Sequence, residues 1–441
     1  MATPTSPDSM STSATVSPAA STGASTGAST AASAAARTAA SGTASTAGPA
    51  GTIDLLVVGA GPAGCAAALR ALQLRPRTRV VLLDAADFPR DKACGDGIAP
   101  HGLDVLRALG VPDAAAGFTP VDRMRLRAPG GAQVATPCPR ANYVVPRKIF
   151  DARLVAAARE RGAVLRRERV RSVAAGGGAG EPVVVNGHLR ARVVIGADGA
   201  NSATRRALGI GPNPPEALAI AVRGYADAPS ADRPPEQLIE MTDEGWPAYA
   251  WSFPIGDGRA NIGYGMLRSK LDELHGDDDG GGRAVLHGTL ARMLADQPAY
   301  PGTLRAHHLP LSTWRPRQPD GPVLLAGDAA SLINPLTGEG IYYALLSGSL
   351  AGQAAVTAAP GAAGAAYRHA LERELGRHLR HITLLAGLAG RHRTLMDAAV
   401  AAASHRTELF DTLLEIGLGR GTIPTASLAR LAVRKLVAGW R

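Results

Sequence analysis

Residues 53–64 have the sequence IDLLVVGAGPAG, an apolar run that ends in three spaced glycines. The run is typical of a buried parallel strand, and the small residues from Cys65 to Leu72 predict a helix directly after it. Gly59 permits a tight turn, Gly61 lets the backbone approach a pyrophosphate, and Gly64 lets the helix pack closely on the strand. We therefore expect a dinucleotide-binding turn whose helix N-terminus faces the phosphates.

The next predicted strand supplies the acid that such a turn requires. Residues 78–83 are apolar and β-branched for most of their length, and they end at Asp84, 20 residues after Gly64. An acid at this distance binds a ribose hydroxyl of the adenosine half. A purely structural glycine turn in an α/β domain is the alternative, but strand, glycines, helix, strand and acid in this order favour a dinucleotide.

Two later segments favour FAD over NAD. Residues 193–202 form a predicted strand that runs into a Gly-Ala-Asp-Gly turn containing Asp198, and residues 322–328 form another that ends at Asp328. A nicotinamide site needs neither, whereas an extended FAD needs a carboxylate for its ribityl hydroxyls, a role that suits Asp328. A helix predicted from about Gly338 through Leu350 would direct its positive end at the pyrimidine edge of the flavin and stabilise the anion formed on reduction.

Length and composition predict two joined domains with tails, because 441 residues exceed what one core usually needs. The first 52 residues are mostly Ala, Ser, Thr, Gly and Pro, so they cannot bury enough apolar surface to fold and are expected to be disordered. The predicted segments are a tail at 1–52, a FAD-binding domain at 53–214 and 319–357, small substrate-domain strands near 120–146, a substrate-binding β-sheet domain at 215–318, and a C-terminal helical region at 358–441.

Charge and cysteine content exclude several classes of protein. Lys and Arg number 47 against 37 Asp and Glu, but the basic residues are scattered and no nucleic-acid module is visible. No uninterrupted apolar run of about 18 residues occurs, so no spanning helix is expected. The three cysteines have no metal-binding spacing and fit a reducing cytoplasm. His307 and His308 also lack a spaced metal partner, and we expect them at the surface or in packing.

Three further motifs resemble those of the geranylgeranyl reductase family, FAD enzymes that share the para-hydroxybenzoate hydroxylase fold. The first is PRDKACGDG at residues 89–97. The second is YAWSFP at residues 249–254, followed by GYG at 263–265, and the third is PLTGEGIYY at 335–343. The resemblance covers residues from about 53 to 357, and the first two motifs separate prenyl reductases from most aromatic hydroxylases of the fold.

The resemblance implies an α/β fold with a Rossmann-like FAD-binding domain of the glutathione-reductase type, an inserted mixed β-sheet substrate domain and C-terminal helices. It also implies which residues contact FAD, with an adenine contact near Val170. Together with the turn residues above, the expected cofactor-binding residues are Gly59, Gly61, Ala63, Gly64, Asp84, Cys94, Gly95, Gly97, Arg147, Asp198, Asp328, Gly338, Gly340 and Ile341.

The activity implied is hydride transfer from reduced flavin to a C=C bond of a prenyl or geranylgeranyl group on an isoprenoid lipid, quinone side chain or prenyl diphosphate. Cys94 lies in a glycine-rich charged loop, where it would orient the alkene or relay a proton, or be only a small residue beside the flavin. Tyr249, Trp251 and Phe253 alternate and so share one strand face, as an apolar wall for the isoprenoid or as ordinary packing. Cys94, Tyr249 and Trp251 are the candidate catalytic residues.

Several alternatives stay open. The electron donor is NAD(P)H bound transiently or a reduced ferredoxin-type carrier protein, because the chain has no second nucleotide-binding unit. The basic amphipathic segment Ser427–Arg441 predicts either peripheral association with the inner face of the membrane or a docking helix. A monooxygenase hydroxylating an aromatic or terpenoid metabolite is the alternative enzyme, and a non-catalytic lipid-binding flavoprotein is the third hypothesis. The intact acids Asp84, Asp198 and Asp328 argue against the third.

Overall fold

The computed structural model describes residues 51–174, 181–229, 234–275 and 281–423. Strands and helices alternate in them as expected for an α/β fold. Of the predicted disordered tail only residues 51 and 52 are described, and the predicted helix Ser427–Arg441 lies outside the described residues. In chain order the strands are β1 (Ile53–Val58), β2 (Val80–Asp84), β3 (Gly97–Ile98), β4 (Pro120–Arg127), β5 (Gln133–Val144), β6 (Val164–Arg167), β7 (Val173–Ala174), β8 (Val183–Val185), β9 (Leu189–Gly196), β10 (Leu218–Asp227), β11 (Gln237–Thr242), β12 (Ala248–Pro254), β13 (Arg259–Leu267), β14 (Arg305–Pro310) and β15 (Val323–Leu325). The helices are α1 (Pro62–Leu74), α2 (Pro100–Ala108), α3 (Arg147–Glu160), α4 (Ala203–Ala207), α5 (Arg268–His275), α6 (Gly281–Met293), α7 (Ile341–Thr357), α8 (Ala363–Leu371), α9 (Arg377–Arg391), α10 (Thr394–His405) and α11 (Thr407–Leu418).

The first sheet is built around β1, which pairs in parallel with β2 on one side and with β9 on the other. Strand β6 extends the sheet beyond β2, and β15 pairs in parallel with β9. The aliphatic residues of β1 are all buried, which explains its continuous apolar run. Because the carboxyl ends of these strands meet at one edge, the Gly59 turn, Asp84, Asp198 and Asp328 are brought to the same edge of the sheet.

Helices α1 and α7 cross at a distance set by glycines. A Cβ atom at Gly348 would lie 2.1 Å from the carbonyl oxygen of Ala63, and one at Gly352 would lie 2.2 Å from that of Ala67. A larger residue at either position would therefore force the helices apart. Since α1 begins at the glycine turn and α7 begins at the predicted flavin-edge loop, this crossing joins two of the segments expected to bind the cofactor.

The second sheet has the strand order β14-β10-β13-β12-β11-β4-β5-β3. It is mixed, because β4 and β11 run parallel whereas the other pairs are antiparallel. This confirms the predicted mixed sheet. Strand β3 begins at Gly97, the last residue of the segment 89–97, so the loop that carries Cys94 is fixed at one end by the second sheet.

Pairing register shows which side chains of this sheet share a face. Ala221 lies opposite both His307 and Gly265, and Gly265 lies opposite Tyr249. Directly paired residues project to the same side of a sheet, so this row faces one way. Trp251 lies on the same side as Tyr249 because it is two residues further along β12.

Helix α3 begins at Arg147, because Pro146 takes the capping position and the chain is helical from the next residue. The predicted bounds of helix α7 are wrong. Helix α7 begins at Ile341 and ends at Thr357, whereas the sequence predicted about Gly338 to Leu350. Gly338 has a φ of +68°, which is outside the helical region, so the helix starts three residues later than predicted.

Within the described residues, no helix combines the length and the apolar character that crossing a membrane requires.

Candidate active site

A cavity of about 590 Å³ lies between the carboxyl edge of the first sheet and one face of the second. It brings together all the predicted site residues except Gly64. A Cβ at Gly64 would lie 1.8 Å from the carbonyl oxygen of Gly59, so this glycine serves the close packing of α1 on the turn. The predicted residues that line the cavity are Gly59, Gly61, Ala63, Asp84, Cys94, Gly95, Gly97, Arg147, Asp198, Tyr249, Trp251, Asp328, Gly338, Gly340 and Ile341, and Val170 lines it as well.

The glycine turn is held open by its backbone and by Asp84. Gly59 has a φ of +98°, and a Cβ there would lie 2.3 Å from the carbonyl oxygen of Ala197, so no other residue fits. The N–H of Ala60 donates to Oδ2 of Asp84 at 3.0 Å, and the N–H of Ala86 donates to Oδ1 at 3.0 Å. These bonds fix the carboxylate at the edge of the cavity, where the sequence places a ribose ligand.

Two guanidinium groups face the turn at Gly61. A Cβ on Gly61 would lie 3.6 Å from Nη2 of Arg90 and 3.9 Å from Nη2 of Arg147. Both are held by Asp151, which lies 2.6 Å from Nε of Arg147 and 3.0 Å from Nη1 of Arg90. Burial alone would lower the pKa of Arg147, but the attraction of Asp151 outweighs it and the pKa is raised. Two fixed positive charges over a glycine turn suit a pyrophosphate.

Two cations of the segment 89–97, Arg90 and Lys92, line the cavity without having been among the expected cofactor ligands. Lys92 places its Nζ 3.1 Å from Oδ2 of Asp328. Burial would raise the pKa of Asp328, but Lys92 reverses the shift and the pKa is lowered, so the carboxylate is ionised. Lys92 is recognisable only as the ion-pair partner of Asp328, and sequence spacing gives no sign of that pairing.

The distant segments of the predicted FAD site contact one another. A Cβ on Gly327 would lie 3.2 Å from the Cβ of Ala63, and one on Gly340 would lie 3.9 Å from Oδ1 of Asp328. The glycine turn, the acid of the last strand and the start of α7 therefore surround one space. With the guanidinium groups at Gly61 and the open backbone of the turn, the donor set fits FAD: a pyrophosphate at Gly61, a ribose at Asp84 and a ribityl chain at Asp328.

Asp198 has a different environment from the one expected. Its carboxylate accepts a hydrogen bond from the hydroxyl of Ser202. It also accepts the backbone N–H of Ala203 at 2.7 Å and that of Thr204 at 3.0 Å. These bonds satisfy the first N–H groups of α4. Asp198 lines the cavity, but its hydrogen bonds are those of a helix-capping residue, and direct cofactor binding stays a prediction.

The start of α7 also differs from the expectation. Oε1 of Glu339 accepts the N–H of Tyr342 at 2.7 Å, so a carboxyl group shares the helix end that was expected to face the flavin alone. Burial raises the pKa of Glu339 to about 7, so this group is neutral for part of the physiological range. The loop before it is anchored by Tyr249, whose hydroxyl donates to the carbonyl oxygen of Thr337 at 2.6 Å.

The aromatic residues of β12 lie together at the cavity, and their role as a wall for an isoprenoid stays a prediction. Tyr249, Trp251 and Phe253 all line the cavity, with neighbouring ring centroids 6.1 Å and 6.4 Å apart. The indole of Trp251 lies over Gly263, where a Cβ would be 2.1 Å from the ring. The glycine of the 263–265 motif is thus needed for the tryptophan to lie flat on the sheet.

Cys94 lines the cavity next to Arg147, and its carbonyl oxygen accepts the side-chain N–H of Asn261 at 2.8 Å. Burial raises the pKa of the Cys94 thiol; Arg147 opposes this effect and the carboxylate of Asp96 adds to it. The group is therefore a thiol near neutral pH, which suits proton donation better than nucleophilic attack.

The structure places His307 in the wall of the candidate site. It lines the cavity and does not lie at the surface, because β14 pairs with β10 so that His307 lies beside Ala221 on the cavity face. Its Nε2 is buried and has no hydrogen-bond partner among the described residues. Burial lowers the pKa of His307 to about 4, so the ring is neutral. No group of three potential metal ligands occurs in the described part of the chain.

The last turn of α11 closes one side of the cavity, a role that was not among the sequence predictions. Leu418 lines the cavity, and Nδ2 of Asn334 donates to the carbonyl oxygens of Ile416 and Gly417 at 2.9 Å and 3.2 Å. The C-terminal helices therefore contribute to the site, although their position could not be derived from their own sequence.

Comparison with known proteins identifies the family. Residues 52–243 match the model of the FAD binding domain. The chain is 35% identical over 316 residues to menaquinone reductase of Mycolicibacterium smegmatis, covering 68% of this chain and 75% of that protein. It belongs to the geranylgeranyl reductase family of FAD-dependent oxidoreductases. Digeranylgeranylglycerophospholipid reductase 2 of Methanopyrus kandleri is 32% identical over 325 residues, covering 69% of this chain and 77% of that protein.

Solved structures confirm the fold of this family member. A geranylgeranyl bacteriochlorophyll reductase-like protein from Thermoplasma acidophilum superposes with a TM-score of 0.68 at 23% identity, covering 82% of this chain and 96% of that one. A flavin-dependent brominase gives 0.70 at 16% identity, with 88% and 100% covered. These likenesses establish the fold alone. The sequence relatives are named as reductases, which favours reduction over the monooxygenase alternative for this FAD-dependent oxidoreductase.

Proposed function

We propose that this reductase saturates C=C bonds of a prenyl or geranylgeranyl group carried by an isoprenoid lipid, a quinone side chain or a prenyl diphosphate. The observation that carries the proposal is the continuity of the cavity. The same cavity is lined by the residues that fit FAD and by apolar side chains, which include Tyr249, Trp251, Phe253, Leu309 and Leu336. The relatives named for menaquinone and for digeranylgeranylglycerophospholipid support this class of substrate.

When bound, the flavin supplies a hydride to one carbon of the double bond. The residues of the chain position the alkene, exclude water and provide the proton for the other carbon. An isolated alkene develops no oxyanion, so orientation contributes more than charge stabilisation. Ala221 and Gly265 give the sheet a flat floor beside the aromatic wall, which leaves room for an extended chain.

Cys94 is our candidate for the proton donor. Its pKa is raised by burial, so it carries a proton near neutral pH. After the S–H bond breaks and the C–H bond forms, the thiolate is left beside the guanidinium of Arg147 and is reprotonated from solvent. Arg147 is itself fixed by Asp151, so the positive charge is already in place before the proton moves.

The electron donor and the place of action complete the proposal. Because the described residues contain one dinucleotide turn, NAD(P)H would reduce the flavin only by binding transiently in the same cavity, and a reduced ferredoxin-type carrier is the other donor. A prenyl chain on a lipid or quinone lies in the bilayer, which supports peripheral association with the inner face of a membrane. Anaerobic mixing with each donor, and flotation with anionic vesicles, test these two points.

The test of the reaction is single-turnover chemistry. The flavin is reduced anaerobically and mixed with menaquinone or a geranylgeranyl lipid, and its absorbance is followed. We expect reoxidation that depends on the alkene, with a product that gains two hydrogen atoms per double bond. Reoxidation by oxygen alone, with a hydroxylated product, would refute the proposal in favour of oxygenation.

A further inference from the structure

Asn261 uses its side-chain amide to join three parts of the site. It lies on β13 and is fully buried. Its Oδ1 accepts the indole N–H of Trp251 at 2.9 Å, and its Nδ2 donates to the carbonyl oxygen of Cys94 and to Oδ2 of Asp96, both at 2.8 Å. The orientation of the amide is forced, because an indole N–H can only donate, and a carbonyl oxygen and a carboxylate only accept.

Asp96 belongs to the Cys94 loop, and the hydrogen-bond partners of its carboxylate are all donors. The hydroxyl of Tyr225 donates to Oδ2 at 2.7 Å, and the backbone N–H of Arg147 donates to Oδ1 at 3.2 Å. Asp96 also has a φ of +59°, a conformation that is uncommon for a residue other than glycine. The loop is thus held in an unfavourable backbone conformation by bonds to its side chain.

The geometry of β12 and β13 explains why Asn261 can reach the loop. Trp251 lies flat on Gly263, two residues from Asn261, which brings the indole N–H to the amide oxygen. Gly95 follows Cys94, and a Cβ there would lie 3.4 Å from Phe253 and 3.6 Å from the indole nitrogen of Trp251. The aromatic wall, the amide and the loop are therefore in contact as one packed unit.

We propose that Asn261 is a positioning residue, which fixes the Cys94 thiol in the cavity by holding the backbone of its loop against Trp251 and Asp96. Its importance for turnover rests on the proposed function. The same geometry gives Trp251 a supporting role, because its indole N–H orients Asn261 and is not free to contact a substrate.

Two substitutions and a matched control separate positioning from folding. N261L removes the bonds to the loop and keeps the branched shape and heavy-atom number of the side chain. N261D keeps an acceptor for Trp251 but places a second carboxylate against Asp96. S252A is the control: Ser252 is also buried and adjoins Trp251 on β12, and its hydroxyl has no hydrogen-bond partner among the described residues.

The first measurement is alkylation of the FAD-loaded enzyme by iodoacetamide, quantified for each cysteine by peptide mass spectrometry. In N261L we expect Cys94 to react about tenfold faster than in the parent protein, because a freed loop exposes its thiol. Cys138 serves as the internal reference and keeps its rate, and S252A matches the parent protein. Unchanged Cys94 alkylation in folded, FAD-loaded N261L would overturn the proposal.

The second measurement is the limiting rate of alkene-dependent reoxidation in single turnover. We expect about a tenfold or greater loss in N261L, with the half-saturating substrate concentration within about threefold of the parent value, because misplacing the thiol affects the chemical step. Loss of binding with an unchanged limiting rate would instead show a role in the substrate channel and contradict positioning.

N261D gives a pH signature that a merely structural role would not. Two carboxylates this close share one proton at low pH and repel each other when both ionise. Arg223 and Tyr225 on β10, the Arg147 guanidinium on α3 and the Cys94 thiol are the other groups facing the pair. We therefore expect the limiting rate of N261D relative to the parent protein to rise as the pH falls from about 8 to about 6. A profile parallel to that of the parent protein would count against the proposal.

The outcomes also distinguish this inference from the proposed function. If the flavin of no enzyme form is reoxidised by a prenyl substrate but Cys94 alkylation rises in N261L, the proposed reaction is wrong and the proposed positioning role of Asn261 stands. If the parent protein turns over and N261L does so equally fast, the positioning is wrong and the reaction stands. Should N261L fail to retain FAD, the pH profile of N261D decides.

Discussion

Replacing Gly61 and Gly64 by alanine separates cofactor binding from folding in the same turn. Gly61 has φ and ψ of −78° and −170°, which alanine adopts without strain, and its added methyl would meet nothing closer than Nη2 of Arg90 at 3.6 Å. At Gly64 the methyl would lie 1.8 Å from the Gly59 carbonyl oxygen, a distance that no folded structure accommodates without moving α1.

The expected magnitudes follow from these distances. In the absence of FAD, G61A should unfold at the same free energy as the parent protein or up to about 1 kcal/mol higher, because alanine restricts the unfolded chain. Its methyl occupies space meant for the pyrophosphate, so we expect an overpacking cost of about 1–3 kcal/mol in the complex. That cost corresponds to FAD binding that is about 5- to 150-fold weaker. G64A should instead lose about 3 kcal/mol or more of folding stability.

Denaturant unfolding of the FAD-free proteins and titration with FAD, followed by flavin fluorescence, provide the two assays. The reasoning fails if G61A binds FAD as tightly as the parent protein, since the space beside Arg90 and Arg147 would then not hold the phosphates. It also fails if G61A is as unstable as G64A, because the two glycines would then share a structural role.

Three further outcomes test other parts of the site. C94S should keep its FAD and lose about 10²-fold in the limiting rate of alkene-dependent reoxidation, because a hydroxyl is a weaker acid than the thiol, and an unchanged rate would remove Cys94 from the chemistry. In G265V the new Cβ would lie 3.2 Å from the Cβ of Ala221, and the branched side chain would fill the cavity floor. The half-saturating prenyl concentration should therefore rise about tenfold at unchanged FAD content. Glu339 binds its proton more tightly in the folded state, since burial raises its pKa from 4.5 to about 7. The thermal stability of the parent protein should therefore fall relative to E339Q as the pH rises from 4.5 to about 7, and a constant difference over that window would contradict the buried-carboxyl assignment.

The parts of the site that depend on local geometry could be predicted from the sequence. The glycine turn, its helix and Asp84 lie within 32 residues, from Ile53 to Asp84. Their spacing along one strand–helix–strand unit predicts the role of each. The alternation of Tyr249, Trp251 and Phe253 likewise fixes a common face without knowledge of the neighbouring strands.

The parts that depend on pairing over long separations could not be predicted. His307 and His308 face opposite sides of β14, and only the register with Ala221 on β10 decides which of them enters the cavity. Asn261 reaches the loop of Cys94 across 167 residues of sequence. Neither fact leaves a periodic signal in the chain, because both arise from how separate strands meet.

The crossing of α1 and α7 at Gly348 and Gly352 separates the part of the enzyme that has to be kept from the part that can be redesigned. At this crossing the two helices are in contact through their own backbones, because a Cβ at either glycine would meet a carbonyl oxygen of α1. A protein engineer who wants a new lipid specificity can therefore redesign the strand faces of that sheet and leave the helix pair untouched, keeping a loaded scaffold while the acceptor changes.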